Sequence, residues 1–539
     1  MAFDQMTATT TEKKSPTKSF SGMVTSPHAL ATQAGLDVLK AGGNAVEAAI
    51  AIGAALCVTY PQFTGFGGDA FMIISDAAGN TRTISGIGQA PAVLPHFERA
   101  IPVRGPLSML TSAGTVDTLG KAFEFSRDTL GGTSSWSRLL TPALTLARGG
   151  FPVTASQRFW LDFRAADMAN LPGVVTAYMN DGVAPEVGAL LRQPQLAASI
   201  ELLAERGHRD FYEGRLAALL AHGLREAGSP LRAGDLAATQ ARIEPPLRIA
   251  YRDGELLAHQ PPTQGVTTLE IMGILNRFDL GGIAHGSADF YHLLVEAVKL
   301  AFIDRDRHLA DPDFSAVAVD TLLSRQRLDT LASSIDMQRA RPWPHVFRNG
   351  DTVFIAAADA QGNAVSMLQT VYFDWGSGML VGDTGMLWHN RGAAFSLDPS
   401  HPNCLAPRKR PFHTLNPGMY MKNGRPHILY GTQGADGQPQ TLATVLPRMI
   451  DYGMDPMAAL AAPRFLLGKT FSDTRDSLKL EADAGSEVFE DLAARGHLLS
   501  PIPAQSPLAG HPGAIVIDQQ TGAFFGAHDP RSDGEALGV

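Results

Sequence analysis

The sequence is poor in several features that mark common protein classes. Among 539 residues there are two cysteines, Cys57 and Cys404, too few for a disulfide framework or a cysteine-rich metal site. The most apolar stretch, residues 48–60, is too short to cross a bilayer, and no secretory signal pattern opens the chain. We therefore predict a cytoplasmic protein with no membrane partner.

Basic residues and several catalytic motifs are also missing. The net charge is -9, so the chain lacks the basic footprint that nucleic acids require, and no nucleic-acid partner is predicted. Neither the HExxH pair of metalloproteases nor the GxSxG elbow of serine esterases occurs. Residues 65–70 fit a relaxed dinucleotide-binding pattern, but a helix precedes them and a strand follows, which is the wrong order for that site.

The predicted secondary structure changes along the chain. Helical patterns with glycine and proline breaks fill residues 115–340, whereas short strand-like runs begin at Thr352. The first 25 residues, rich in hydroxyls and lysine, are predicted to be a disordered leader. No linker separates the helical part from the strand-rich part, so one large compact unit is expected.

Thr352 lies at the boundary between the helical part and the strand-rich part. A threonine in a strand is usually only a good strand former. This one, however, comes first in its strand, directly after Asn349-Gly350-Asp351. A flexible turn of that kind would let the hydroxyl attack the carbonyl group before it.

The motifs around Thr352 resemble those of the γ-glutamyltranspeptidase family, over nearly the whole chain from about residue 26. In chain order they are GGNAVEAA at 42–49, GFGGD at 65–69, AGTV at 113–116, TVFIAAADAQGNAV at 352–365, WGSG at 375–378, KRP at 409–411 and DPRS at 529–532.

The resemblance implies an α+β fold, the four-layer αββα sandwich of the N-terminal-nucleophile hydrolases, with a mainly helical large subunit. It also implies a precursor that cuts itself between Asp351 and Thr352 into residues 1–351, which comprise the leader and a large subunit at 26–351, and a small subunit at 352–539. The two chains would stay together as a heterodimer. A higher oligomer is left open. The freed α-amine, with a reference pKa of about 7.7–8.0, would accept the hydroxyl proton, so neither a metal nor an organic cofactor is expected.

The family also implies roles for particular residues. Thr352 would be the nucleophile, and Thr370 would hydrogen-bond it. Gly434 and Ala435 would donate backbone amides to the oxyanion, a task that suits fixed donors. Because the family has two glycines here and Ala435 replaces the second, this assignment is open to a shift of one residue.

Several pocket positions depart from the family. Ile87 and Ala394 replace the arginine and aspartate that hold a glutamyl head, and losing such charge-assisted bonds abandons that substrate. The predicted substrate contacts are Tyr372, Trp375, Arg391, His413 and Thr414. Arg391 can pair with a carboxylate, although it could instead bind an internal one, and His413 could be a structural histidine.

Segments 412–417 and 434–440 resemble the oxamate amidohydrolase branch of the family, which acts in purine and allantoin breakdown. We therefore predict hydrolysis of a small anionic amide such as oxamate, giving oxalate and ammonia. The alternatives are a γ-glutamyl hydrolase or transpeptidase, a glutaryl or cephalosporin acylase, and a binding protein that has lost catalysis.

Overall fold

The computed structural model describes residues 15–170, 172–179, 182–343, 351–468 and 476–539. Its strands are β1 (Thr17–Ser19), β2 (Gly22–Ser26), β3 (Asp69–Ser75), β4 (Thr81–Gly86), β5 (Phe151–Pro152), β6 (Leu190–Leu191), β7 (Arg242–Glu244), β8 (Leu247–Tyr251), β9 (Gly254–Ala258), β10 (Asp351–Asp359), β11 (Ala364–Tyr372), β12 (Gly418–Lys422), β13 (Arg425–Thr432), β14 (Phe465–Gly468), β15 (Ser477–Glu481), β16 (Leu499–Ile502), β17 (Pro512–Ile517), β18 (Phe524–His528) and β19 (Glu535–Gly538).

Most of the helices precede residue 351. They are α1 (Ala29–Lys40), α2 (Ala45–Thr59), α3 (Thr115–Thr129), α4 (Trp136–Gly149), α5 (Ala155–Phe163), α6 (Ala165–Met168), α7 (Pro172–Tyr178), α8 (Pro194–Arg206), α9 (Asp210–Glu213), α10 (Arg215–Glu226), α11 (Ala233–Ala237), α12 (Gly265–Leu275), α13 (Ala288–His308), α14 (Val319–Leu322), α15 (Arg325–Ser333), α16 (Gln438–Ile450), α17 (Pro456–Ala461) and α18 (Ser486–Ala494).

Two seven-stranded sheets form the centre of the fold. The first has the order β1-β18-β17-β13-β12-β9-β8, and the second has the order β19-β2-β10-β11-β3-β4-β7. An apolar cluster joins their facing sides, with Phe71, Phe354 and Leu368 from the second sheet and Met419 and Ile515 from the first. The sheets are therefore packed face to face through a shared core.

Helices cover the outer side of each sheet. Helices α1–α4 and α8 pack in one apolar cluster with the second sheet, and α12, α13, α16 and α17 pack in another with the first sheet. This arrangement is the four-layer αββα sandwich, and the predicted α+β fold with a mainly helical large portion is confirmed.

Helix α2 shows how the local sequence sets these layers. It starts at Asn44, whose side chain accepts from the Glu47 amide while Glu47 accepts from the Asn44 amide, a reciprocal capping box. All of its side chains are buried, as expected for a helix that is apolar nearly all round.

Strand β10 lies inside the second sheet and is buried along its whole length. Val353, Ile355 and Ala357 face the helical layer, whereas Phe354 and Ala356 face the other sheet. By this alternation Thr352 points between the two sheets. The pairing of β10 with β11 is irregular between Asp351 and Val353, which places a bulge opposite Thr352.

The predicted leader was wrong over part of its length. Residues 1–14 lie outside the described residues, but β1 and β2 are strands and not disordered chain. The reason is pairing with distant partners: β1 pairs with β18, and β2 with β10 and β19. No local pattern in the first 25 residues reveals partners that lie more than 300 positions away.

None of the helices in the described ranges is both long enough and apolar enough to cross a membrane.

The close approach of the sheets at Phe354 yields a prediction. A Cβ on Gly431 would lie 2.4 Å from the Phe354 ring, so Gly431→Ala should lower the unfolding free energy by about 1–3 kcal/mol, measured by urea denaturation. Gly149→Ala is the control, because a Cβ there meets nothing within 4 Å. Equal midpoints for both variants would contradict the packing argument.

Candidate active site

The Asp351–Thr352 bond is buried where four elements meet: the start of β10, the ends of β11 and β13, and the start of α16. Asp351 is 3% exposed and Thr352 is 1% exposed. Asn349 and Gly350, which form the rest of the predicted turn, lie outside the described residues. The described residues therefore shield this bond from solvent.

Hydroxyl and amide groups surround this bond. The Thr370 hydroxyl accepts from the Tyr372 amide at 2.7 Å and donates to the Asp351 carbonyl oxygen. The Thr352 hydroxyl instead accepts from Gln438 Nε2 at 3.1 Å. Thr370 thus contacts the carbonyl that Thr352 would attack, whereas the family resemblance predicted a bond to Thr352 itself.

The side chain of Asp351 lies in an acidic surrounding. Its Oδ1 accepts from Gln433 Nε2, and its Oδ2 has no partner in the described part of the chain. Burial, followed by the charge of Asp374, holds the pKa of Asp351 well above its usual value. Arg164 donates to Asp374 at 2.5 and 2.9 Å, so the raised pKa favours the protonated form of Asp351 beside this ion pair.

The Gly434-Ala435 turn has an unusual backbone. Gly434 has φ 128° and Ala435 has φ 44°, a left-handed conformation that is costly for alanine. Within the described ranges, neither amide donates to a protein acceptor. Gln264 Nε2 holds the turn by donating to the carbonyl oxygens of Ala435 and Thr414, both at 2.7 Å.

Arg391 is a fully buried cation without a matching carboxylate. Its Nη2 donates to Thr414 Oγ1 at 3.3 Å, and its guanidinium carbon lies 3.7 Å from the centre of the Tyr372 ring. Its Nε and Nη1 have no hydrogen-bond partner among the described residues. Burial lowers the pKa of Arg391 to about 10, so it remains charged at neutral pH.

His413 is fixed beside Asp69. Its Nδ1 accepts from the Leu415 amide at 3.3 Å, so Nε2 carries the proton and donates to Asp69 Oδ2 at 3.1 Å. Burial, with the charge of Arg391, lowers the pKa of His413 to about 3, which keeps the ring neutral. Amides of Gly88 and Gly114 occupy the other Asp69 oxygen at 2.9 and 3.0 Å.

Comparison with known proteins identifies the family. The sequence model of the gamma-glutamyltranspeptidase family matches residues 31–539. The chain belongs to this family.

Two curated γ-glutamyltranspeptidase relatives span almost the whole chain. The oxamate amidohydrolase proenzyme of Klebsiella pneumoniae is 42% identical over 521 residues, which are 96% of this chain and 98% of that protein. The glutathione hydrolase-like YwrD proenzyme of Bacillus subtilis is 39% identical over 523 residues, covering 96% and 98%.

A solved structure of the family has the same fold. The cephalosporin acylase from Bacillus halodurans superposes with a TM-score of 0.90 at 31% identity, covering 100% of this chain and 99% of its own.

The structure brings most of the predicted residues together. Tyr372 lies opposite Asp351 in the strand register and under the Arg391 guanidinium, and Thr414 links Arg391 to the Gln264 side chain that holds Ala435. Trp375 is different. Its indole packs against Tyr178 in the core and donates to the Trp160 carbonyl oxygen, so the mechanism proposed below does not use it.

Three residues near the site were missed from the sequence. Gln438 contacts Thr352, Gln264 braces the Ala435 turn, and Asp69 orients His413. Two of them had a signal, because Asp69 closes the family motif at residues 65–69 and Gln438 lies in the segment 434–440. Gln264 lies in none of the motifs.

Among the described residues one group of side chains could hold a metal ion: His292, Glu296 and His497. Each already has a protein partner. His292 Nδ1 and His497 Nε2 share a hydrogen bond of 2.8 Å, and Glu296 accepts from Lys299 at 2.7 Å. This group joins α13 to the strand-rich portion and touches none of the residues around Thr352 described above.

The protonated state of Asp351 yields a prediction for the uncut precursor. In a Thr352→Ala background, Asp351→Asn should raise the unfolding free energy at pH 7, because Asn needs no proton to remain buried. The difference should shrink as the pH falls towards about 4, where the unfolded carboxyl is also protonated. Urea denaturation of both precursors at several pH values measures the difference in unfolding free energy. A difference that does not change with pH would contradict the raised pKa of Asp351.

Proposed function

We propose that the chain cuts itself between Asp351 and Thr352, and that Thr352 then hydrolyses a small carboxylate-bearing amide, with oxamate as the best-supported substrate. The observation that carries the choice of substrate is the buried Arg391, whose Nε and Nη1 have no protein partner in the described structure.

In the cleavage step, the Thr352 hydroxyl attacks the Asp351 carbonyl carbon. Thr370 polarises that carbonyl through its hydrogen bond, which favours the negative charge that develops on the oxygen. The C–O bond forms, the peptide C–N bond breaks, and the hydroxyl proton passes to the leaving nitrogen; water then hydrolyses the resulting ester. The products are a carboxylate on Asp351 and a free α-amine on Thr352.

In the hydrolytic reaction, that α-amine takes the proton of the Thr352 hydroxyl, which attacks the amide carbon of the substrate. The amides of Gly434 and Ala435, which donate to no acceptor among the described residues, stabilise the oxyanion. The C–N bond breaks, ammonia leaves with the transferred proton, and water hydrolyses the acyl-threonine. With oxamate and water the products are oxalate and ammonium.

Arg391 supports an anionic substrate because a buried cation is costly for the fold when two of its N–H groups have no acceptor among the described residues. Its free Nε and Nη1 can bind both oxygens of a carboxylate, and the neutral His413 adds no competing charge. Tyr372, held at φ 80°, supports the guanidinium from below. A small acid amide fits these groups better than a glutamyl peptide does.

The family comparison supports the same choice. The Klebsiella relative is named for oxamate, and Ile87 and Ala394 stand where the family's glutamyl anchors are expected. Ile87 packs in the apolar cluster between the sheets, an environment that opposes a zwitterionic head group.

A second candidate is an acylase of the cephalosporin type, favoured by the similarity to the Bacillus halodurans enzyme. A γ-glutamyl hydrolase and a non-catalytic homologue have less support. Cys57 and Cys404 are both free thiols, which suits the reducing cytoplasm that we propose as its compartment, where oxamate cleavage would serve purine breakdown.

Self-cleavage is tested on a denaturing gel. The wild type should give two bands, residues 1–351 and 352–539, whereas Thr352→Ala should give one band and no activity. Thr352→Ser keeps a hydroxyl and should still be cut. A wild type that remains whole after long incubation would refute the mechanism.

The role of Arg391 is tested with oxamate and its uncharged analogue oxamide, and with glutamine and a glutaryl amide for the alternatives. The wild type should prefer oxamate, and Arg391→Met should lower kcat/KM for oxamate by about 100-fold while changing oxamide little. Arg391→Lys, which keeps the charge but loses the planar fork, should fall in between.

The thermal stability of the same variants separates function from folding. Arg391→Met removes a buried cation with unpaired N–H groups, so its Tm should not fall. If Arg391→Met retains the wild-type preference for oxamate over oxamide, the proposed carboxylate contact is wrong.

A further inference from the structure

Gln438 is the first residue of α16, and its side chain reaches the proposed nucleophile. Its Nε2 donates to Thr352 Oγ1 at 3.1 Å, and neither residue is more than 1% exposed. Gln438 therefore contacts the oxygen atom that would attack the substrate.

The Nε2 contact restricts the Thr352 hydroxyl. A threonine hydroxyl has one proton to donate and two lone pairs to accept with. A donor on one lone pair limits rotation about the Cβ–Oγ1 bond, so the remaining lone pair and the proton have defined directions. Such pre-orientation of an attacking group lowers the barrier to reaction.

The other end of the same amide has no protein partner. Gln438 Oε1 is buried and accepts no hydrogen bond from any described residue. An unsatisfied buried carbonyl destabilises the fold, so a partner is expected when the site is filled. Oε1 belongs to the same planar amide as Nε2, which contacts the attacking oxygen, so it is within reach of a group bound at the reacting carbon.

We propose that Gln438 is a catalytic residue that accepts a hydrogen bond from the –NH2 group of the substrate through Oε1 while Nε2 holds Thr352 Oγ1. This inference rests on the proposed function and deepens it: the site selects primary carboxamides over amides whose nitrogen carries no hydrogen. Gln438 transfers no proton. The proton of Thr352 passes through the α-amine to the leaving nitrogen, which departs as ammonia.

The chain supplies a matched control two residues further along the helix. The side chain of Gln440 is also buried, but backbone groups satisfy both of its ends. Its Nε2 donates to the Asp436 and Leu467 carbonyl oxygens at 3.3 and 3.2 Å, and its Oε1 accepts from the Leu467 amide at 2.7 Å. Gln440→Met therefore removes a buried glutamine that supports only the fold.

Two variants separate the two ends of the Gln438 amide. Gln438→Met removes both the donor and the acceptor, whereas Gln438→Glu keeps an acceptor oxygen and loses the donor. Oxalate release is measured from oxamate and from N,N-dimethyloxamate, and rates are expressed per cleaved chain. Should Gln438→Met remain uncut, Gln438→Asn, which withdraws the amide by one carbon, replaces it.

The wild type should prefer oxamate strongly, and Gln438→Met should reduce that preference by about 10- to 100-fold, the range expected when a polar contact to the substrate is lost. Gln438→Glu should lower kcat for both substrates and keep more of the preference. Gln440→Met should lower Tm and leave the preference unchanged.

Two outcomes would overturn the inference. One is a Gln438→Met enzyme with the wild-type preference for oxamate. The other is a loss that is equal for both substrates and accompanied by a shifted pH profile, which would assign Oε1 to the α-amine of Thr352. If the wild type ignores oxamate but hydrolyses another primary amide, the same comparison with its N,N-dimethyl derivative tests Gln438 separately from the proposed substrate.

Discussion

The structure depends on the packing of two sheets across strand β10, which carries the Asp351–Thr352 bond at its first residues. Phe354 fills the space between the sheets against Gly431 and Gly513, neither of which could carry a Cβ without meeting its ring. Because this packing is close, the chain at residue 352 has little freedom to move. The bulge opposite Thr352 locally breaks the ladder and leaves its hydroxyl turned towards α16.

Two residues close to that hydroxyl have a strained backbone. Tyr372 and Ala435 both have positive φ, although neither is glycine. Such conformations cost about 1–3 kcal/mol each and persist only where the surroundings enforce them. Here hydrogen bonds from Gln264 and the buried pair of Arg305 with Asp436 hold the Ala435 turn.

Most of the buried charged groups near the site are paired. Asp69 is stabilised by backbone amides and His413, and Asp374 by Arg164, so these carboxylates have their partners within the protein. Arg391 donates to the Thr414 hydroxyl and lies over the Tyr372 ring, and its Nε and Nη1 have no hydrogen-bond partner among the described residues. These two N–H groups are the ones that the proposed anionic substrate would pair.

The sequence by itself determined the family, the four-layer fold and the position of Thr352, because ordered motifs and a change from helical to strand periodicity are properties of consecutive residues. It also identified Arg391 and His413 as departures from the family. It could not show which partners they have, since Asp69 and His413 are 344 positions apart.

Only the tertiary structure decided three matters. Strands β1 and β2 form by pairing with strands from the other end of the chain, which no local pattern encodes. Trp375 belongs to the core because Tyr178 and Trp160 meet it there. Gln438 and Gln264 reach the site because α16 and α12 start at its edge, and the sequence does not show which groups the two side chains contact.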